Sequence, residues 1–160
     1  MTAPYDSLQP PQIAVTIRSL PRRYRSALAE LEAADVDLGA AGRTGESPLV
    51  IVDDATRSLM VIDRGLEQVL LHDQPMVMAA VMDPAARQWE QPAGDRATIL
   101  DALGDIATEL ADRIDEAPTD AWSRPAEVAA HGSVDALAIA REAARTGVER
   151  LRDLERFETD

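Results

Sequence analysis

The 160-residue chain has no cysteine, no lysine and no asparagine, and it has only two histidines. Without cysteine it can form neither a disulfide framework nor a thiol nucleophile nor a thiolate-ligated metal site. Two histidines also exclude a three-histidine metal site within one subunit. No run of about 18 apolar residues occurs, so we expect no membrane-spanning segment.

The residues that are present describe one soluble globular domain, 46% hydrophobic and 28% charged. The first residues, MTAPYDSLQPPQ, lack the basic start and the apolar stretch of a signal peptide, so we expect a cytoplasmic protein. All 16 basic residues are arginine, and 29 acidic residues leave a net charge of −13. A field of this sign repels phosphate backbones, so we expect no nucleic-acid partner.

Apolar residues recur every three or four positions in four segments, which predicts four amphipathic helices. We place these helices at about residues 13–33, 48–72, 95–116 and 133–157, after a flexible N-terminal arm at residues 1–12. Pro21 interrupts the first stripe and predicts a kink or a new start there. No segment alternates with period two over a useful length. The predicted fold class is therefore all-α, a four-helix bundle in a single domain spanning residues 13–157.

Two connections, residues 73–94 and 118–132, are longer than the loops of up-and-down bundles. The first is long enough to return the chain along the bundle, so the second and third helices could be parallel. It contains the apolar run Met76–Met82. This run is either a short crossover helix that covers the bundle or a methionine-rich surface for a dimer partner or a ligand.

Charged residues flank the apolar stripes of two helices. Asp53 and Asp54 lie in the first turns of the second helix, where the helix dipole favours negative charge. Arg57 follows Asp53 by four positions and can pair with it. The fourth helix carries a ladder at four-residue spacing, formed by Arg141, Arg145, Glu149 and Asp153. Such a ladder is typical of an exposed salt-bridge strip, although Arg145 and Glu149 border the apolar stripe and could tip into the bundle.

The histidines and tryptophans leave alternatives open. If the second and fourth helices are antiparallel, His72 and His131 lie at the same end of the bundle. They are then either a two-histidine metal site or two separately solvated side chains. Trp89 and Trp122 lie in the long connections, where a tryptophan either plugs the end of the core or stacks on a ligand.

Four short segments have a recognisable pattern: Ala117-Pro-Thr-Asp-Ala-Trp-Ser-Arg-Pro125, Gly132-Ser-Val-Asp-Ala-Leu, the helix end Leu151-Arg-Asp-Leu-Glu155, and Arg64 with the trailing His72-Asp-Gln-Pro75. With these segments the chain resembles the DinB-like superfamily, particularly its actinobacterial members. The likeness runs from about Leu20 to Glu155. It implies a four-helix bundle with parallel second and third helices. It also implies a metal-dependent enzyme that uses a low-molecular-weight thiol such as mycothiol or bacillithiol.

The metal of that family is held by one histidine early in the second helix and by an HxxxH pair on the fourth. The resemblance places Asp53, Arg145 and Glu149 at these three positions, and none of them is histidine. A guanidinium has no lone pair for a metal, so we expect a metal-free site in which Arg145 bridges Asp53 and Glu149. Arg57, Arg64 and Asp153 are possible supporting residues. The Trp-Ser dipeptide that precedes the second helix in the family is replaced by Gly45-Glu46.

Three functions remain open from the sequence, the third being a regulatory partner protein that docks through the Met76–Met82 stretch. The first is a non-catalytic binding module for a small molecule or a protein, a homodimer as the resemblance implies, with no cofactor. The second is a thiol-dependent transferase or isomerase that works in the cleft between the second and fourth helices, where Asp53 or Glu149 would be the general base and Arg145 would hold an anionic substrate. In that case a divalent metal is the alternative cofactor. A deep polar cavity between these helices favours the enzyme, whereas closed salt bridges there and an apolar patch elsewhere favour the binding module.

Overall fold

A computed structural model describes residues 4–89 and 94–159 of the chain. Within them lie four long helices, α1 (Pro10–Ala33), α2 (Pro48–Leu71), α3 (Arg96–Glu116) and α4 (Ala136–Glu155). Their apolar stripes enclose one core, as the three–four spacing requires. The predicted all-α four-helix bundle is confirmed. None of the helices in the described ranges is both long and apolar enough to cross a lipid bilayer.

Side-chain caps fix where three of the helices begin. The Ser47 hydroxyl accepts a hydrogen bond from the Val50 N–H at 3.1 Å, and Pro48 follows at the first helical position. Asp95 caps α3 in the same way through the Thr98 N–H at 2.9 Å. Asp135 caps α4 through the Ala138 N–H at 2.8 Å, so this helix begins later than the predicted position of about 133, because residues 132–135 belong to a β-strand.

Of the predicted arm at residues 1–12, residues 1–3 lie outside the described ranges, and the remainder is more ordered than predicted. Pro10 and Pro11 lie in the first turn of α1, where a residue without an N–H is favoured, so residues 10–12 are helical rather than flexible. Tyr5 packs into the core with 9% of its surface exposed, which also contradicts a loose arm. The helix continues through Pro21, because Leu20 and Tyr24 on either side of it are fully buried.

Ion pairs along the bundle establish that α2 and α3 are parallel. Arg113, near the end of α3, pairs with Asp63 and Glu67 in the second half of α2. In contrast, Arg150 near the end of α4 pairs with Asp54 near the start of α2, so these two helices are antiparallel. The neighbouring pairs are α1 with α3, α3 with α2, α2 with α4, and α4 with α1. Because α2 and α3 run the same way, the chain between them must return along the length of the bundle.

A small three-stranded sheet joins the two long connections, against the prediction that the chain has no strand. Strand β1 (Met76–Val77) is parallel to β2 (Pro125–Val128), and β2 is antiparallel to β3 (Gly132–Asp135). The strands have only two to four residues, which is too short for period-two alternation to be visible in the sequence.

The apolar run Met76–Met82 is not the expected crossover helix. It forms β1 and then a 3₁₀ turn at Ala79–Val81. In an extended chain successive side chains face opposite sides, so Val77 is buried while Met76 and Met78 are exposed. Val81 then returns to the core and lies against Gly65 of α2. We name residues 72–95 the crossover.

The contact between Val81 and Gly65 predicts a strict requirement for glycine. A Cβ at position 65 would lie 2.7 and 2.8 Å from the two γ-methyl groups of Val81. We therefore expect Gly65→Ala to lower the free energy of unfolding by about 1–3 kcal/mol, through overpacking. Gly104→Ala on α3 is the control, because nothing lies within 4 Å of its new Cβ.

Gly104→Ala should instead stabilise the protein by about 0.5–1 kcal/mol, through the lower entropy of the unfolded chain. Urea unfolding followed by circular dichroism measures both variants. Equal effects of the two substitutions would contradict the close packing of the crossover on α2.

Candidate functional site

A narrow polar cleft lies where α2 and α4 face each other beneath the crossover. Its volume is about 90 Å³. Charged side chains from all three elements line it, namely Asp54, Arg87, Arg145, Glu149, Arg150 and Asp153. The cleft therefore contains the helix α4 positions that the sequence singled out, together with charged residues that it did not.

Arg87 and Glu142 form a buried ion pair at the inner wall of the cleft. Their side chains are 2% and 6% exposed, and Arg87 Nη2 lies 2.7 Å from Glu142 Oε1. Arg87 Nη1 also donates to Thr146 Oγ1 at 3.1 Å. Arg145 pairs with the same carboxylate, its Nε donating to Glu142 Oε2 at 2.9 Å. One buried carboxylate thus balances two guanidinium groups, and it ties the crossover to α4.

A second cluster surrounds Arg150 at the outer end of the cleft. Arg150 Nε lies 2.9 Å from Asp54 Oδ2, and its terminal nitrogens pair with Glu46 and Asp153 at 2.8 and 2.9 Å. Asp54 also accepts a hydrogen bond from the Trp89 indole N–H at 2.8 Å. Burial raises the pKa of Asp54 above its usual value, although Arg150 and the Trp89 hydrogen bond act to lower it.

The structure brings together only two of the three residues at the predicted metal positions. Arg145 Nη1 lies 3.0 Å from Glu149 Oε2. Asp53 does not join them, and the expected bridge of Arg145 between Asp53 and Glu149 is wrong. Asp53 is buried and pairs with Arg57 at 3.0 Å, as their four-residue spacing predicted. Asp54 faces the cleft instead, because one residue turns a helix by about 100°.

The predicted supporting residues separate into two places. Asp153 belongs to the cleft through its pair with Arg150. Arg57 and Arg64 lie away from it, in a groove on the other side of α2.

That groove has a volume of about 370 Å³ and is lined mainly by Met60, Met76, Met78, Val81 and Trp89. The Trp89 ring, 5.5 Å from the Arg57 guanidinium carbon, separates the groove from the cleft.

Sequence reasoning missed Arg87, Glu142 and Arg150. Glu142 lies three residues before Arg145 and four before Thr146, a spacing that could have placed it on the same face. Arg150 follows the Glu149 of the ladder and faces α2 through its packing. Arg87 carries no sequence signal, because it lies in a connection without helical periodicity.

The two histidines do not extend this site. His131 Nε2 lies 3.4 Å from Asp83 Oδ2, a contact that is an ion pair only when the histidine is protonated. His72 is the exposed residue at the end of α2. Among the described residues, no three histidine, aspartate or glutamate side chains are grouped as a metal site requires.

The donor chemistry of the cleft does not suit a transition metal. Its carboxylates each contact a guanidinium, and Arg87, Arg145 and Arg150 offer no lone pair to a cation. A hard cation would find oxygen ligands only by displacing these arginines. The charged side chains of the cleft can instead fix one another in position through a network of ion pairs.

The geometry defines the class of fold as a four-helix bundle in which the second and third helices are parallel. The chain matches no protein-family model and no curated protein. A solved structure with a similar fold is that of YfiT from Bacillus subtilis, with a TM-score of 0.72 and 14% sequence identity. The match covers 97% of this chain and 92% of that one. YfiT is described as a probable metal-dependent hydrolase with an unusual four-helix bundle topology. At this identity the likeness establishes the fold alone.

The Arg87–Glu142 pair predicts a large difference between two glutamates that both contact Arg145. Glu142→Gln keeps the shape of the side chain but leaves the buried Arg87 without a countercharge, so we expect a loss of about 3–5 kcal/mol in the free energy of unfolding. Glu149 is 48% exposed, so Glu149→Gln should cost only about 0–1 kcal/mol. Equal losses in denaturant unfolding would contradict a buried network.

The raised pKa of Asp54 predicts a pH dependence with a definite sign. Protonated Asp54 favours the fold, and this contribution is lost as the pH rises through the folded-state pKa. Asp54→Asn removes the titration. We therefore expect the free energy of unfolding of Asp54→Asn, minus that of the unmodified protein, to increase as the pH rises from about 4 to about 7.

Asp95 provides a control of opposite sign. The Thr98 N–H lowers the pKa of this capping carboxylate, so its contribution to stability is lost as the pH falls. The stability of Asp95→Asn relative to the unmodified protein should therefore decrease over the same rise in pH. Urea unfolding at both pH values compares the two variants, and a shared trend would contradict the environment assigned to Asp54.

Proposed function

We propose that this chain is a DinB-like four-helix bundle that has lost the metal site of its family and binds a small molecule or a protein without catalysis. One observation carries the proposal: Arg87, Arg145 and Arg150 occupy the cleft between α2 and α4 and pair with its carboxylates. YfiT, which has a similar fold, is described as a probable metal-dependent hydrolase. The family resemblance places a metal site in this cleft, and the arginines of this chain supply positive charge there.

The size and the charge balance of the cleft support this proposal. Its volume of about 90 Å³ is well below the roughly 300–1,000 Å³ of typical ligand sites. The buried Glu142 accepts hydrogen bonds from two arginines and is not free to act as a base. A substrate could enter only if several ion pairs opened at once.

The groove on the other side of α2 supports the binding function. It is about four times larger than the cleft, since its volume is about 370 Å³. Its lining is mostly apolar, and two arginines lie among the lining residues. Closed salt bridges between α2 and α4 together with an apolar patch elsewhere are the combination that favours a binding module over an enzyme.

The alternative is a thiol-dependent transferase or isomerase. The raised pKa of Asp54 favours it, because a carboxyl tuned in this way can serve as a general acid or base. Asp54 replaces Asp53 in this role, since it is the one that faces the cleft. Against it, the Trp89 hydrogen bond and Arg150 already engage both Asp54 oxygens.

Metal binding tests the proposed function. The unmodified protein, purified without a tag, should contain no stoichiometric zinc or nickel by elemental mass spectrometry and should bind neither in calorimetry. A triple variant with Asp54→His, Arg145→His and Glu149→His should gain zinc or nickel binding, because it restores three nitrogen ligands around the cleft.

The matched control is the triple variant with Asp53→His in place of Asp54→His. Position 53 faces Arg57 rather than the cleft, so this protein should bind metal much more weakly. Stoichiometric metal in the unmodified protein would overturn the proposed loss of the site. Equal binding by the two triple variants would contradict the placement of Asp54 at the ligand position.

We also propose that the chain forms a homodimer, on the family resemblance alone. Sedimentation equilibrium of the untagged protein tests the dimer.

A further inference from the structure

The groove between α2 and the crossover concentrates exposed apolar surface in one place. Five large apolar side chains are exposed among the described residues, and Met60, Met76 and Met78 of the groove are three of them. Their exposed fractions are 43%, 74% and 63%. Such surface normally lies on a partner or a ligand, and flexible methionines adapt to chains of different shape.

The walls of the groove are held by contacts on the protein side. Val81 packs against Gly65 and forms the floor. Trp89 is fixed at one wall by its hydrogen bond to Asp54 and by the Arg57 guanidinium, 5.5 Å from the ring centroid. The groove is therefore built before any ligand arrives, and its volume of about 370 Å³ lies within the range of small-molecule sites.

Arg64 gives the groove a positive charge that no ion pair among the described residues uses. Its neighbours on α2, Asp63 and Glu67, both pair with Arg113 of α3, so they are turned away from it. Arg64 is exposed and makes none of the ion pairs found in the described ranges of the chain. Arg57 differs, since the buried Asp53 balances its charge. A guanidinium without a countercharge suits a carboxylate, which it can bind with two parallel hydrogen bonds.

We propose that this groove binds a small amphipathic anion, an unbranched acyl chain that ends in a carboxylate. The chain lies over Met60, Met76 and Met78, and the carboxylate pairs with Arg64. The charge of Arg64 complements a localised anionic end, which it must hold against the overall negative field of a protein of net charge −13. This inference rests on the proposed binding function and names its site and its class of ligand.

Trp89 supplies the readout for a test with decanoate. Trp122→Phe leaves Trp89 as the single tryptophan, because the chain has only two. Decanoate, kept below its micelle-forming concentration, should change Trp89 fluorescence in a saturable way. Decanol has the chain without the charge and should bind about tenfold more weakly, whereas acetate has the charge without the chain and should give no saturable change.

Variants that also carry Trp122→Phe test separately how the carboxylate and the acyl chain contribute to binding. Arg64→Gln should weaken decanoate binding about tenfold and leave decanol binding unchanged. Arg22→Gln, which removes an exposed arginine of α1, is the matched control and should change neither. Met78→Gln should weaken the binding of both ligands, and its high exposure leaves folding intact.

Three outcomes would overturn the inference. Equal binding of decanoate and decanol would remove the role of Arg64. No saturable response to either ligand would remove the groove as a site for acyl chains. Self-association that Met78→Gln abolishes would assign the groove to a second copy of the chain. None of these outcomes changes the metal content of the protein, so they are distinguishable from a failure of the proposed function.

Discussion

The buried ion pair between Arg87 and Glu142 is the interaction on which the arrangement of this bundle depends. The parallel direction of α2 and α3 forces the crossover to travel the length of the molecule, where it needs an anchor. Arg87 provides that anchor, because it belongs to the crossover and pairs with Glu142 of α4. Two charges taken out of water are stable only as a pair, so the crossover cannot leave α4 without exposing a costly imbalance.

The anchored crossover borders both the cleft and the groove. On one side it closes the cleft between α2 and α4, and on the other it forms a wall of the methionine-lined groove. The two sites differ in chemistry. Ion pairs fill the cleft, whereas apolar side chains line the groove together with Arg64, which makes none of the ion pairs found within residues 4–89 and 94–159. The charged side chains of the cleft thus stabilise the fold, whereas the charge of Arg64 in the groove is exposed to a ligand.

The helices could be predicted from the sequence because each buries one long apolar stripe. The sheet could not, since strands of two to four residues show no period. The site was predicted only in part. Arg145 and Glu149 share a helical face by spacing, but whether Asp53 or Asp54 faces them depends on the rotation of α2 against α4. Arg87 acts from the crossover, where tertiary contacts alone decide position.

Trp89 touches both sites, and this has a thermodynamic consequence. Its indole N–H stabilises the ionised form of Asp54 in the cleft, while its ring borders the groove. A molecule in the groove that shifts this ring weakens that hydrogen bond and makes the carboxyl easier to protonate. Occupancy of the groove and uptake of a proton are then linked, and by reciprocity acidification favours the occupied state. Through Trp89, binding in the groove on one face of α2 would be coupled to protonation of Asp54 on the other face.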